Sequence, residues 1–122
     1  MQPYFFADTG QRLVSIRYCD IIFIEASRNY ASIVTTKCSC LALVNLRQLE
    51  TILPRDHFCR IHRSYIVAIA AIQAITTNRV YLKDRDLPIG DSFRAGLYQR
   101  ITIASQPRLK NVTVYPDVAD NY

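Results

Sequence analysis

A mostly β domain of antiparallel strands with two short helices is what this sequence predicts, and three observations carry that expectation. Runs rich in β-branched and aromatic residues recur at strand length, as in Ile21 to Ala26, Tyr30 to Thr36 and Phe58 to Val67. Polar spacers of hairpin length separate such runs, as Ser27-Arg28-Asn29 does, and runs joined this closely pair most economically as antiparallel neighbours. Apolar residues at clear helical spacing occur twice, at Leu46, Leu49, Ile52 and Leu53 and again at Phe93, Leu97 and Ile101.

In chain order, Arg12 to Ile16 reads as a short strand, followed by the turn Arg17-Tyr18-Cys19-Asp20. Ile21 to Ala26 and Tyr30 to Thr36 form a hairpin, Lys37 to Ser39 makes a tight connection, and Cys40 to Val44 supplies a further strand. Asn45 is placed as an N-cap and Pro54 as a stop, which bounds an amphipathic helix of about two turns. Ala68 to Thr76 is apolar enough for strand or helix, since Ile69, Ile72 and Ile75 recur every three residues. Arg79 to Leu82 and Leu87 to Ile89 are strands joined by the charged turn Lys83-Asp84-Arg85-Asp86. The final helix carries Phe93, Leu97 and Ile101, with Asp91 or Ser92 at its cap and Arg94 in its first turn. Beyond Ala104 the pattern fades; Val112, Val114 and Tyr115 fit either an edge strand or a loose tail.

Within Phe58 to Val67, Cys59, Ile61, Tyr65 and Val67 define one apolar phase that Arg63 violates. Burying an unpaired guanidinium is costly, so the strand breaks at His62-Arg63-Ser64 and presents Arg63 to solvent. The competing reading pairs Arg63 with a carboxylate beside the strand.

A chain of 122 residues is one domain by length, and at that size folding buries roughly 65% of the surface the unfolded chain exposes. No run is long and apolar enough for a bilayer, and Met1-Gln2-Pro3-Tyr4-Phe5-Phe6 lacks the positive flank of a signal peptide. The expected compartment is the cytoplasm. Between residues 10 and 104 the chain holds 13 basic against 7 acidic residues, and all the basic ones but Lys37 and Lys83 are arginine. The planar guanidinium fork suits phosphate oxygens and guanine edges, which points to a polyanionic partner.

Cys19, Cys38, Cys40 and Cys59 do not have zinc-knuckle spacing and read as free thiols; no metal or cofactor is expected. Catalysis is not expected either. The three glycines, Gly10, Gly90 and Gly96, form no phosphate loop, and His57, His62 and Asp56 assemble no recognisable acid–base pair. What remains is a set of polar, basic connections on a β frame: Ser27-Arg28-Asn29, His62-Arg63-Ser64 and Asp91-Ser92-Phe93-Arg94.

Taken together, Ile22-Phe23-Ile24-Glu25-Ala26 with Asn29-Tyr30, then Leu46 to Leu53, then Phe58 to Val67, then Leu87-Pro88-Ile89-Gly90-Asp91-Ser92-Phe93-Arg94 resemble the LytTR-type DNA-binding domain of bacterial response regulators. The resemblance runs from about Gln11 to Ile101, in the family's order and spacing. It implies an elongated stack of small antiparallel β-sheets with short helices, whose loops enter successive major grooves of double-stranded DNA. Matched by position, it implies that Arg63 and Arg94 read bases. The third base-reading loop maps near Asn29 to Ala31, where the longer polar side chain of some members is absent if Ala31 is the equivalent; Arg28 or Asn29 then substitutes. Ser64 and Ser92 would contact phosphate, with Arg28, Lys37, Arg79 and Lys83 as further phosphate candidates from their charge. His62 and Glu25 are read as structural residues beside the site.

The expected organisation is an N-terminal extension over residues 1–10, the DNA-binding domain over 11–104 and a polar C-terminal tail over 105–122. No receiver fits before Gln11, which leaves a stand-alone regulator or an excised domain, the tail favouring the former. The resemblance further implies tandem binding to repeated half-sites with DNA bending; a homodimer on DNA and a receiver, kinase or membrane regulatory partner are expected, and membrane insertion is not. Two other readings are a protein-interaction module anchored by Tyr30, Tyr65 or Tyr98, and a single-strand binder that stacks bases on tyrosine; steep salt dependence on duplex DNA separates the first from a DNA reader.

Overall fold

The computed structural model describes residues 2–105, whose strands pair antiparallel throughout in three sheets. Strands β1 (Tyr4–Asp8) and β2 (Leu13–Arg17) form a two-stranded sheet. Strands β3 (Ile21–Ser27), β4 (Tyr30–Thr35), β5 (Ser39–Ala42), β6 (Phe58–His62) and β7 (Tyr65–Ala68) make the central sheet, in the order β5-β4-β3-β7-β6. The short strands β8 (Ala74–Ile75), β9 (Arg79–Tyr81) and β10 (Asp86–Pro88) form the third, in the order β10-β9-β8. Helices α1 (Leu46–Ile52) and α2 (Arg94–Gln99) complete the fold, and neither is long and apolar enough to cross a membrane.

The central strands are apolar on both sides because both sides are covered. Successive side chains of a strand point to opposite faces. On one face Ile24, Ile33 and Ile66 pack with Ala7 and Ile16 of the small sheet and with Leu46 and Leu49 of α1. On the other, Phe23, Cys59 and Val67 pack with Val80, Leu87 and Leu97 of the third sheet and α2. The result is a stack of layers with a core on each side of the middle one. Ile24, Ile33 and Leu97 are completely buried, each such side chain contributing about 1.5 to 3 kcal/mol.

Helix α1 begins at a reciprocal cap. The Asn45 side chain accepts from the Gln48 backbone N–H at 2.8 Å, and the Gln48 side chain accepts from the Asn45 N–H at 3.0 Å. Pro54 stands just past the helix, where it cannot continue the backbone ladder.

Three local expectations differ from the structure. Residues 4–8, placed in the N-terminal extension and assigned no element, form β1 in full register with β2 and place Ala7 in the core; the burial comes from tertiary packing that a run without clean alternation does not announce. The ambiguous stretch 68–76 is neither one strand nor one helix: β7 ends at Ala68, a 3-10 turn spans Ile69–Ala71 and β8 follows. Neither Asp91 nor Ser92 caps α2, because a 3-10 turn over Asp91–Phe93 leads into the helix and the Asp91 carboxylate binds Arg94 instead. The region of Val112, Val114 and Tyr115 lies outside the described residues.

Candidate nucleic-acid interface

The break expected inside Phe58 to Val67 is a tight turn. His62 pairs with Tyr65, which leaves Arg63 and Ser64 as the turn, and Ile61 is an extra residue between the Arg60–Ile66 and His62–Tyr65 pairs. Such a bulge bends the strand and re-aims the residues after it. Arg63 is exposed, and its guanidinium makes no hydrogen bond or ion pair among the described residues. The turn beneath it is braced. Arg60 donates through Nη2 to the Arg63 carbonyl at 2.6 Å, through Nε to the His62 carbonyl at 3.3 Å and through Nη1 to Glu50 at 2.8 Å. His62 Nδ1 accepts from the Ser64 N–H at 3.0 Å, which fixes that nitrogen as the unprotonated one.

Sheet register brings two further segments to the same end of the central sheet. Glu25 pairs with Tyr65 across β3 and β7, and the Ala26 N–H donates to the Ser64 carbonyl at 2.8 Å. The β3–β4 turn, Arg28-Asn29, therefore lies beside the Arg63 turn, and both its residues are exposed. Arg28 has φ 55°, left-handed backbone that is uncommon outside glycine, asparagine and aspartate. From the third sheet, the Gly90 N–H donates to the Ile61 carbonyl at 2.8 Å. A Cβ at Gly90 would lie 3.0 Å from the Phe93 ring and 3.7 Å from the His62 backbone, so glycine permits this close approach.

Arg94 follows directly and differs from Arg63 in being held. Its Nε donates to the Thr77 carbonyl at 2.7 Å and its Nη2 to Asp91 at 2.9 Å, leaving its side chain 21% accessible. Nη1 has no partner among the described residues. The guanidinium is thus oriented in advance, at the rim formed by the β8–β9 turn and the start of α2.

The remaining candidates scatter. Ala31 is fully buried within β4, so its methyl cannot meet a base; the strand begins one residue earlier, and only Arg28 and Asn29 of that loop face solvent with Ser27 and Tyr30. Ser92 is exposed in the 3-10 turn, and Ser64 is half-buried. Arg79 is ion-paired with Asp86 on the neighbouring strand. Lys37 sits in the β4–β5 connection at the other end of β4, 3.6 Å from Asp20, about 20 Å from Arg28 at the usual rise per residue. Lys83 is exposed in the β9–β10 turn. Glu25 accepts from the Tyr65 hydroxyl at 3.2 Å. Burial and that carboxylate push the Tyr65 phenol up. Tyr30 is exposed, whereas Tyr65 and Tyr98 are half-buried.

Two residues that organise this end of the molecule were not singled out from sequence. Arg60 is the brace; its place three residues before Arg63 carries no local signal, because its partners are backbone carbonyls and a helix side chain. Arg85 lies over the Phe23 ring at 4.7 Å and the Tyr65 ring at 5.9 Å, joining the third sheet to the central one. That stacking is a long-range contact.

Comparison with known proteins gives a consistent picture. The profile of the LytTr DNA-binding domain matches residues 11–102. RcoM of Rhodospirillum rubrum, a CO-responsive transcriptional regulator, is 39% identical over 65 residues, 53% of this chain. The matched part is 28% of RcoM, so the chain spans well under half of that relative. A solved LytTr DNA-binding domain from Bacillus cereus superposes with a TM-score of 0.72 at 19% identity, over 82% of this chain and 97% of that one, a likeness of fold.

Proposed function

The chain belongs to the LytTr DNA-binding domain family, and from that premise we propose that it regulates transcription by reading specific sequences of double-stranded DNA through loop arginines. The observation that carries the reading is Arg63 on a braced turn, its guanidinium without a partner among the described residues, with Arg28-Asn29 and the Arg94 rim at the same end of the sheet. Arg63 donates paired hydrogen bonds to a guanine edge in the major groove and Arg94 reads a base through its remaining Nη1, each contact worth about 1 to 3 kcal/mol of discrimination. Asn29 contributes a further base contact, and Arg28, Ser64, Ser92, Lys37, Arg79 and Lys83 contact phosphates. Arg79 reaches a phosphate only by sharing its guanidinium with Asp86, and Lys37 meets a different stretch of backbone from Arg28.

Residues 11–104 form the DNA-binding unit in this reading, with β1 of the preceding extension completing its first sheet. Two copies occupy repeated half-sites, and a receiver, kinase or membrane partner supplies the regulatory input. The domain binds and does not catalyse; it acts in the cytoplasm.

Selection from a random duplex library, followed by binding at two salt concentrations, tests this. Enrichment of a repeated motif is expected, with Arg63→Ala and Arg94→Ala each losing about 5- to 150-fold on it and relaxing the requirement at one base pair. Affinity should fall with salt at a log–log slope near −0.9 for each phosphate neutralised. Motif-free binding, or variants as tight and selective as the parent, would overturn the assignment.

A further inference from the structure

Behind the Arg63 turn lies a cavity of about 80 Å³ between the end of α1, β6 and the chain after α2. Arg55, Arg60 and Arg100 line it together with one carboxylate, Glu50, and Leu53 and Phe58 are among its apolar walls. Three guanidiniums against one carboxylate around so small a space is a charge imbalance with a direction. Arg100 is anchored by its Nη1 on the Phe58 carbonyl at 2.5 Å, and Arg60 is fixed on both turn carbonyls and Glu50. Arg55 is exposed, and its guanidinium makes no hydrogen bond or ion pair among the described residues. Two oriented cations and one free cation line a pocket, open to solvent, with room for a compact oxyanion.

We infer that this cavity binds a compact oxyanion of the phosphate class, which competes with Glu50 for Arg60. Guanidinium forks match tetrahedral oxyanions with paired, charge-assisted hydrogen bonds. Glu50 is the occupant such an anion displaces, because it holds Arg60 from a side chain that is 44% accessible and can withdraw into water at small cost. The same Arg60 holds the Arg63 carbonyl, so the site abuts the turn without including Arg63 itself. The oxyanion is either a free phosphate or a phosphate of the DNA backbone; the cavity chemistry is common to both. The binding claim stands apart from the base-reading proposal, since it is measured without DNA.

The test is a titration of the full chain with inorganic phosphate in chloride buffer at constant ionic strength, followed by backbone amide chemical shifts. Saturable shifts centred on residues 50–60 and 100 are expected. Arg55→Ala should weaken binding roughly fivefold or more, and Glu50→Gln should tighten it by removing the competitor. Arg47→Ala, which removes an exposed charge from α1 outside the cavity, should leave it unchanged. Shifts that stay linear and diffuse, a loss in Arg47→Ala equal to that in Arg55→Ala, or weaker binding in Glu50→Gln would each overturn the inference. With the site established, duplex of arbitrary sequence is added. Displacement of phosphate identifies the DNA backbone as the source, and simultaneous binding of both identifies a free anion. A chain that binds phosphate and reads no DNA sequence would sink the base-reading proposal alone.

Discussion

The Arg60 guanidinium donates to the backbone carbonyl of Arg63 at 2.6 Å, so one arginine holds the peptide from which the other projects. Arg63 itself has no partner among the described residues to orient its guanidinium. Its direction is set by the turn, and the turn is set by Arg60, the His62 ring and the bond from Ala26 to Ser64. Arg60 is therefore a positioning residue. Arg60→Met keeps the apolar stem and removes the three hydrogen bonds that Arg60 donates. It should relax discrimination at the base pair that Arg63→Ala relaxes, and the two changes should be non-additive by about 0.5 to 3 kcal/mol. Binding of wild type, both single variants and the double variant to single-base variants of the selected site measures this. Strictly additive losses spread over all positions would reduce Arg60 to a general stabiliser.

Arg94 calls for a different substitution, because its fork is divided between fold and solvent. Nε and Nη2 are spent on Thr77 and Asp91, and Nη1 is left. Arg94→Lys retains the charge and loses the fork, so it should cost about 1 kcal/mol of stability through the Thr77 bond and lose guanine discrimination with little change in salt slope. Asp91→Asn should cost under about 0.5 kcal/mol, since that carboxylate is 95% exposed. Urea unfolding together with the salt series separates the two effects.

How much of this was legible in the sequence depends on whether the cause was local. The Arg63 turn was readable because one charged residue broke a period-2 apolar phase, and the Asn45 cap because its partner Gln48 is three residues away. The hairpin over Ser27-Arg28-Asn29 was readable from its spacer. What escaped has distant partners: β1 is a strand because β2 pairs with it, Ala31 is buried because β3 and β5 flank it, and Arg85 stacks on Phe23 and Tyr65 from another sheet. The assignment of Arg94 as a presented base reader missed the same kind of tie, to a Thr77 carbonyl seventeen residues upstream.

The φ of 55° at Arg28 predicts that function and stability pull apart there. A left-handed backbone costs an ordinary L-residue roughly 1 to 2 kcal/mol, and asparagine tolerates it better. Arg28→Asn should raise stability by about 0.5 to 1 kcal/mol while weakening duplex binding and lowering the salt slope by close to one phosphate. Thermal unfolding and the salt series read the two effects. A variant no more stable than the parent would mean the turn carries no strain at this residue.

The four free thiols should divide by burial. Cys19 and Cys38 are exposed, whereas Cys40 and Cys59 are buried, and burial pushes both buried thiols up. Cys38 adds to the rise at Cys40 and Glu50 to that at Cys59, against opposing contributions from Arg12 and Arg100. A raised value means that the folded chain keeps these protons to higher pH than the unfolded chain does. Their contribution is then intact below the ordinary thiol value and declines as pH climbs past it towards the raised one. Alkylation of the reduced native protein should label two thiols quickly and the other two only on unfolding. The urea midpoint should fall with rising pH above about 8.5, and less steeply in the Cys40→Ala, Cys59→Ala double variant than in the parent. Four thiols reacting at one rate, or identical pH slopes in the two proteins, would show that neither sulfur is sheltered by the core.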